Sequence, residues 1–147
     1  MTMMETESIE CPACKKKQAV DVYQTINATE NPELVQKLMV GEISVFKCAA
    51  CGHAAQIHTP LLFNNHRMGL KIQFYPEHLL AENPEYVCND YLAMLKQAEK
   101  FRQDYSLFMP DLNKRESLLV VFSMEEMISQ IKFRAKIFEL ENDVRVG

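Results

Sequence analysis

Two closely spaced pairs of cysteines constrain this chain more than any other feature. The first pair is Cys11 and Cys14, the second is Cys48 and Cys51, and two residues separate the cysteines within each pair. This spacing lets a tight turn point both sulfurs toward one place, and two such turns supply the four thiolates of a closed tetrahedral zinc site. The sequence therefore predicts that these four cysteines ligate one Zn²⁺.

Two other interpretations of the cysteines stay open. Thiol–disulfide oxidoreductases also use a C-x-x-C motif, and the three lysines at 15–17 beside the first pair would lower a thiol pKa. In those enzymes the motif begins a helix, whereas residues 19–27 alternate here as in a strand. The third interpretation is a set of unliganded buried cysteines. His53 could replace one thiolate, but four cysteines already complete the coordination shell.

The chain has 147 residues, of which 48% are hydrophobic, and this is enough to bury one core without disulfides. We expect a single domain over residues 8–141, with a zinc-binding, β-rich lobe at 8–78 and a helical lobe at 83–141. Residues 1–7 and 142–147 are expected to be flexible termini. The sequence shows neither a secretory signal pattern nor a long apolar run, so we expect a cytoplasmic protein.

The first half of the sequence has the pattern of a small, mostly antiparallel sheet. Alternation at residues 19–27 and 70–75 predicts half-buried strands, and shorter strands are expected at 43–47 and 54–59. Asn31-Pro32-Glu33 predicts a helix start, because Asn caps free amides and proline gives up an N–H that lacks a partner there. The predicted fold class is α+β: a zinc-ribbon-like antiparallel sheet packed with a helical C-terminal half.

The second half is predicted to be mainly helical. Asn83-Pro84-Glu85 repeats the helix-start pattern, and apolar residues at three- and four-residue steps extend the predicted helix toward Pro110. Residues 118–122 are all apolar, which predicts a buried strand. Ser123 and Glu126 then have the spacing of a capping box, which predicts the start of a last helix.

No residue pattern indicates catalysis. The chain lacks the H-E-x-x-H, G-x-S-x-G and glycine-rich phosphate-binding motifs, and it has only four glycines. His58, His66 and His78 lack the i, i+4 spacing of a helical metal pair and are expected to be ordinary polar side chains. Cys88 is expected to be a small buried hydrophobe. We therefore expect neither an enzyme nor a small-molecule substrate.

Charge argues against nucleic acid as a partner. The net charge at pH 7 is −4, and four thiolates around a divalent ion make the balance more negative. The lysine run at 15–17 is short, and such runs are usually solvated turns rather than phosphate-binding surfaces. Nucleic acid is therefore an unlikely partner on electrostatic grounds.

Short motifs spread over most of the chain resemble those of one known family. They are Cys11-Pro12-x-Cys14, Asn31-Pro32-Glu33-Leu34, Phe46-Lys47-Cys48-x-x-Cys51-Gly52-His53, Pro60-Leu61-Leu62-Phe63, Phe74-Tyr75-Pro76 and Val121-Phe122-Ser123-Met124. In order and spacing they resemble the CpXC domain proteins of bacteria and archaea. Ala49 stands where the family pattern has proline, and the tail after Phe138 lacks the ending of its relatives. The resemblance implies a zinc-binding module and implies no substrate.

These observations favour a non-catalytic zinc-binding module that acts in protein assembly or regulation. Its expected partner is another protein or a second copy of the chain, because the long predicted helix has a wide apolar stripe, including Tyr86 and Leu92, that exceeds what a small sheet covers. The alternatives are a nucleic-acid-associated transcriptional regulator and, less favoured, a thiol–disulfide oxidoreductase. No membrane partner is expected.

Overall fold

The computed structural model describes residues 2–105 and 117–146. Within these residues the chain forms seven strands and four helices. In chain order they are β1 (Met3–Glu10), β2 (Lys17–Asn27), α1 (Pro32–Met39), β3 (Val45–Lys47), β4 (Ala54–Gln56), β5 (Leu61–Asn65), β6 (Leu70–Phe74), α2 (Glu77–Glu82), α3 (Pro84–Tyr105), β7 (Ser117–Val121) and α4 (Met124–Val146).

Five strands form one sheet in the order β1-β2-β5-β6-β7, and β3 pairs with β4 in a separate hairpin. The β1–β2 and β5–β6 pairs are antiparallel, whereas the β2–β5 and β6–β7 pairs are parallel. Each parallel pair is joined by a connection that includes helices, because parallel strands need a long crossover. The predicted α+β class with a helical C-terminal part is confirmed, and the main sheet is mixed rather than antiparallel.

Both ends of the chain are more regular than expected. Residues 1–7 were expected to be flexible, but Met3–Glu10 forms β1 and pairs with β2 along its whole length. Its side chains are almost all exposed, so backbone hydrogen bonds hold the strand in the sheet and its sequence shows no hydrophobic periodicity. Residues 142–146, also expected to be flexible, continue α4. Regular secondary structure therefore extends into both segments, which the sequence pattern did not indicate.

The main core joins the five-stranded sheet to α1 and α4. Its buried residues are Ile26, Leu34, Leu38, Ile43, Leu61, Phe63, Leu70, Ile72, Phe74, Val121, Met127 and Ile131. Each fully buried aliphatic or aromatic side chain stabilises the fold by about 1.5–3 kcal/mol. Residues 61–63, which the sequence shows only as a short apolar run, form the start of β5, which pairs with a strand on both sides.

The two Asn-Pro-Glu helix starts behave differently. Asn83 accepts a hydrogen bond from the Tyr86 N–H at 3.2 Å through its side-chain oxygen, as predicted for a helix cap. Asn31 makes no side-chain cap hydrogen bond. Its side-chain nitrogen donates instead to Glu33 Oε1 at 3.1 Å. The prediction that Asn31 caps α1 with its side chain is therefore wrong, although the helix begins where predicted.

Only one of the two hydrogen bonds of the predicted capping box forms at the start of α4. Ser123 Oγ accepts a hydrogen bond from the Glu126 N–H at 3.1 Å. The carboxylate of Glu126 reaches one residue further than a capping box requires and accepts from the Phe122 N–H at 3.3 Å. The predicted strand before it is β7, and the predicted end of the long helix at Pro110 lies outside the described residues.

The long helix α3 is tied to the sheet mainly at its first turns. Tyr75, which directly follows β6, is fully buried and donates its hydroxyl to Asp90 Oδ2 on α3. Burial and the hydrogen bond to the Asp90 carboxylate raise the pKa of Tyr75. Val87 is buried in the same part of α3, whereas Leu92 and Leu95 are exposed. Among the described residues, no helix has the length and apolarity needed to cross a membrane.

Candidate metal centre

The first cysteine pair lies in the turn that joins β1 to β2. The Cys11 N–H donates to the Lys16 carbonyl at 2.9 Å, and the Lys15 N–H donates back to the Cys11 carbonyl at 2.8 Å. These two bonds close a tight turn that places Cys11 and Cys14 on the same side. Lys15 closes it in the left-handed region, with φ of 62°. We call residues 11–16 the first knuckle.

The second cysteine pair lies in the turn that joins β3 to β4. The Cys48 N–H donates to the His53 carbonyl at 2.8 Å, and the Gly52 N–H donates back to the Cys48 carbonyl at 2.9 Å. Gly52 has φ of 77° and occupies the same place in this turn as Lys15 in the other. Residues 48–53, which we call the second knuckle, therefore repeat the backbone pattern of the first knuckle.

The two knuckles bring all four sulfurs to one place. The Sγ atoms of Cys11, Cys14, Cys48 and Cys51 all lie within 4.8 Å of one another. Contacts run between the knuckles, with Cys11 Sγ 3.6 Å from Cys51 Sγ and Cys14 Sγ 3.5 Å from Cys48 Sγ. A tetrahedron of sulfurs about 2.3 Å from a central ion has edges of about 3.8 Å. The cluster therefore has the size of a four-thiolate metal site, and all four cysteines are free of disulfides.

The cluster is buried on one side and open on the other. Cys11 and Cys48, the first cysteine of each knuckle, are 0% and 5% exposed and pack with Val20 and Phe46 in a small second core. Cys14 is half-buried, and Cys51 is exposed. Each knuckle therefore contributes one inner and one outer sulfur. An ion held here would tie the β1–β2 hairpin to the β3–β4 hairpin through this core.

Gln18 also joins the two hairpins, through contacts that no sequence pattern indicates. From β2, its side-chain Nε2 donates to the Lys47 carbonyl at 2.6 Å. Its side-chain Oε1 accepts from the Ala49 N–H at 2.9 Å. The amide group thus bonds the backbone on both sides of Cys48, much as a paired strand would. A polar residue next to a lysine run carries no periodic signal, so only the folded arrangement reveals this contact.

Backbone amides of the knuckles favour thiolates at the inner positions. The N–H groups of Cys51 and Ala50 lower the pKa of Cys48 to about 6. The corresponding amides of Cys14 and Ala13 lower the pKa of Cys11. Hydrogen bonds to an anion stabilise the charged form, which explains both shifts.

The outer sulfur of the second knuckle shows the opposite electrostatic effect. The backbone N–H of His53 lowers the pKa of Cys51, but the neighbouring sulfurs, with Cys48 first, and burial outweigh it and raise the value to about 12. Several negative sulfurs so close together repel one another. The fourth thiolate therefore needs a cation, and a divalent ion at the centre supplies the missing positive charge.

The side chains of the other residues considered from the sequence do not join this cluster. His53 contributes its backbone carbonyl to the second knuckle. His66 contacts the side chain of Asn64, and within the described residues no histidine joins a metal-binding group. Cys88 is exposed on α3, so the expectation of a buried hydrophobe there is wrong. The four predicted cysteines are thus the residues that the fold brings together.

Comparison with known proteins supports the family resemblance. Neither the curated proteins nor the solved structures contain a match to this chain. The sequence model of the family described as CpXC protein matches residues 9–145, which is nearly the whole chain and includes both knuckles. The chain therefore belongs to the CpXC family.

Proposed function

We propose that this protein binds one Zn²⁺ through Cys11, Cys14, Cys48 and Cys51 and serves as a non-catalytic module for protein interaction. The observation that carries the proposal is the convergence of two matching knuckles on one point, with sulfur spacing close to that of a tetrahedral site. Family membership and the coordinates support metal binding in general.

Zinc is favoured by the ligands and by their backbone setting. Four thiolates in tetrahedral arrangement suit Zn²⁺ or iron and exclude the oxygen-seeking ions Mg²⁺ and Ca²⁺. Two knuckles on hairpin turns, each closed by a residue with positive φ, form the arrangement typical of zinc ribbons. Zinc adds no redox chemistry, which fits a site that joins two hairpins and lies beside a small apolar core.

A structural role follows from the energetics of the site. Structural Zn²⁺ in small sites contributes about 10–16 kcal/mol at neutral pH. Closing the loop between the two knuckles costs only about 3 kcal/mol of chain entropy. The β3–β4 hairpin has strands of three residues and would be marginal without further support. The ion is therefore proposed to be what holds this hairpin in place.

The same geometry makes catalysis unfavourable. Four protein ligands leave a zinc ion no open position for water or substrate. A dithiol oxidoreductase places its reactive cysteine at a helix N-terminus, whereas both pairs here lie in strand-to-strand turns. Nucleic-acid binding is also unfavourable, because acidic residues lie near the lysine run at 15–17. Glu10 is the cross-strand neighbour of Lys17, and Glu5 and Glu7 lie on the same hairpin.

Elemental analysis of the purified protein tests the metal proposal directly. We expect one zinc per chain, and we expect Cys48→Ser to lose the zinc and the ordered β3–β4 hairpin, because Cys48 is a buried ligand at the end of β3. Cys88→Ser is the matched control, since Cys88 is exposed and lies on α3. If the analysis finds one iron per chain and no zinc, iron replaces zinc as the proposed ion. Retention of a full metal load by Cys48→Ser would contradict the four-cysteine site.

A further inference from the structure

Three apolar side chains form a largely exposed stripe on α4. Phe133, Ile137 and Leu140 are 57%, 37% and 48% exposed. Another face of the same helix is buried in the main core through Met127 and Ile131. The helix is therefore apolar on two faces, and within residues 2–105 and 117–146 only one of them belongs to the buried core. Large exposed apolar side chains arranged in a row mark an interaction surface.

The spacing of the stripe is that of a coiled coil. Steps of four and three residues separate Phe133, Ile137 and Leu140, and a further step of four in the sequence reaches Val144. In heptad notation Ile137 is an a position, and Phe133 and Leu140 are d positions. A β-branched residue at a with leucine at d favours two parallel strands over higher oligomers. The stripe thus fits a second helix of the same kind.

Charges beside the stripe complement one another when two copies of α4 run parallel. Lys136 is then a g position and Glu141 the e position that faces it on the other helix. Two-fold symmetry forms this Lys–Glu pair twice. Within one helix Lys136 lies 3.7 Å from Glu139, and both side chains are 63% exposed. Such a surface pair contributes little energy, so it does not prevent Lys136 from facing Glu141 of another copy.

The position of the rest of the molecule allows this pairing. The sheet packs against the first half of α4 through Met127 and Ile131. Ile137 and Glu141 lie at the border of a cleft with Met68 and Leu70 of the same chain, but Glu141 is exposed and Ile137 is 37% exposed. Further along α4, Arg67 from the β5–β6 turn lies over the ring of Phe138, 5.5 Å from its centroid. Two copies related by an axis parallel to α4 would have their sheets beside the paired helices rather than between them, with the two stripes in contact.

We propose that α4 pairs with α4 of a second copy of this chain to form a short, parallel, two-stranded coiled coil. A second copy of the chain is then the protein partner of the proposed interaction module, and this pairing rests on that proposed function. The metal centre lies in the other core cluster, so pairing does not require the zinc ligands to change.

Sedimentation velocity over a range of protein concentrations tests the pairing. We expect a monomer–dimer equilibrium for the full chain and a monomer for Leu140→Lys, because lysine at a central d position places two like charges in the interface. Glu139→Lys is the matched control: it is exposed, lies next to Leu140 and is outside the stripe, so it should remain dimeric. A full chain that stays monomeric throughout, or a dimer that Leu140→Lys leaves unchanged, would overturn the proposal.

Charge exchange and cross-linking test the parallel orientation. Lys136→Glu should weaken the dimer about tenfold, because two symmetry-related attractions become repulsions, and Glu141→Lys added to it should restore the affinity. In a Cys88→Ser background, Leu140→Cys should form a disulfide between copies on mild oxidation, since identical d positions meet only in a parallel pair. A dimer without this disulfide and without charge-exchange recovery would rule out the parallel coiled coil.

Metal content measured on the same samples separates the two proposals. A monomer with one zinc per chain would overturn the coiled coil and leave the metal centre standing. A dimer without zinc that responds to these substitutions as predicted would support the coiled coil and overturn the zinc site.

Discussion

The knuckle at Cys11 and the knuckle at Cys48 have the same pair of backbone hydrogen bonds, but very different surroundings. The first knuckle joins a strand of eight residues to one of eleven, whereas the second joins two strands of three. The first hairpin is part of the five-stranded sheet, and the second stands apart from it. The same local geometry is thus supported by a long ladder in one case, and by side chains and the proposed ion in the other.

Two knuckles with the same motif can therefore depend on different interactions for their stability. We expect the ladder of the first hairpin to persist without a metal ion in its turn, because most of its paired residues lie far from the cysteines. The second hairpin has few bonds of its own, so it depends on Gln18, on Gly52 and on the proposed zinc. Damage to the metal centre should therefore affect the second knuckle far more than the first.

Removal of the metal should produce the largest effect. When a chelator removes the ion, we expect the β3–β4 amides to lose their protection from hydrogen exchange while the β1–β2 amides keep most of theirs. The reason is that an ion contributing on the order of 10 kcal/mol is lost from a hairpin with three-residue strands. Amide exchange followed by NMR measures both hairpins in one experiment. Equal loss of protection in both hairpins would show that the long ladder also depends on the ion.

Gln18→Ala should have the next largest effect. It removes two hydrogen bonds to the second knuckle and should destabilise the fold by about 2 kcal/mol, at about 1 kcal/mol for each bond. Gln36→Ala, an exposed change on α1, is the control and should alter stability little. Urea unfolding measures both variants. If Gln18→Ala unfolds at the same urea concentration as the parent, the side-chain amide does not hold the knuckles together.

The candidate site was predictable because its signal is local. Two C-x-x-C pairs specify tight turns with sulfurs on one side, and the structure places these four cysteines within 4.8 Å of one another. Strand and helix types also follow from periodicity, as in β2, β6 and α3. What the pattern of one strand does not contain is the direction of its neighbours. The parallel β2–β5 and β6–β7 pairs arise from the crossovers, which only the assembled fold shows.

Other features escaped prediction because their stabilising contacts leave no pattern. The strand β1 exposes nearly every side chain, so it has no buried face to detect. The short helix α2 has no buried residue, and its sequence gives no periodic stripe. Gln18 acts through one side-chain amide on backbone atoms that are distant in sequence. Hydrophobic periodicity reports burial, and elements held by backbone or amide hydrogen bonds are invisible to it.

Substitutions at the closing residue of each knuckle should act in opposite directions and by smaller amounts. Gly52→Ala should cost about 1 kcal/mol, because φ of 77° is unfavourable for a residue with a Cβ atom, and no atom lies within 4 Å to add a clash. Lys15→Gly relieves the same strain at φ of 62° in the first knuckle. Its gain should be below about 1 kcal/mol, since glycine also gains freedom in the unfolded chain.

Gly41→Ala is the matched control for Gly52→Ala. Gly41 has φ of 76°, also without an atom within 4 Å of an added Cβ, but it follows α1 rather than a cysteine pair. Both alanine variants should lose similar stability in thermal unfolding, and only Gly52→Ala should weaken zinc binding in competition with a chelator. Equal zinc affinity in the two variants would mean that the second knuckle tolerates a change at its closing residue.

The smallest expected effect is a change with pH in the number of protons that the second knuckle releases when zinc binds. In the metal-free fold the Cys51 and Ala50 amides lower the pKa of Cys48 from 9.0 to about 6. A lowered thiol pKa stabilises the fold fully above the ordinary value, and this contribution is lost as the pH falls through about 6. If the second knuckle forms these hydrogen bonds before metal binds, zinc binding at pH 7 or 8 takes Cys48 as a thiolate already, and below about pH 6 one additional proton must leave for each ion bound.

Calorimetry of zinc binding in buffers with different ionisation enthalpies counts these protons. A rise of one released proton per ion as the pH is lowered through about 6 would show that the hydrogen bonds to the Cys48 sulfur form before the metal arrives. If the rise occurs instead near 9.0, the ordinary thiol value, the second knuckle acquires its geometry only with the ion bound. The short hairpin and its metal would then fold as one unit, and the contrast with the long hairpin of the first knuckle would be at its greatest.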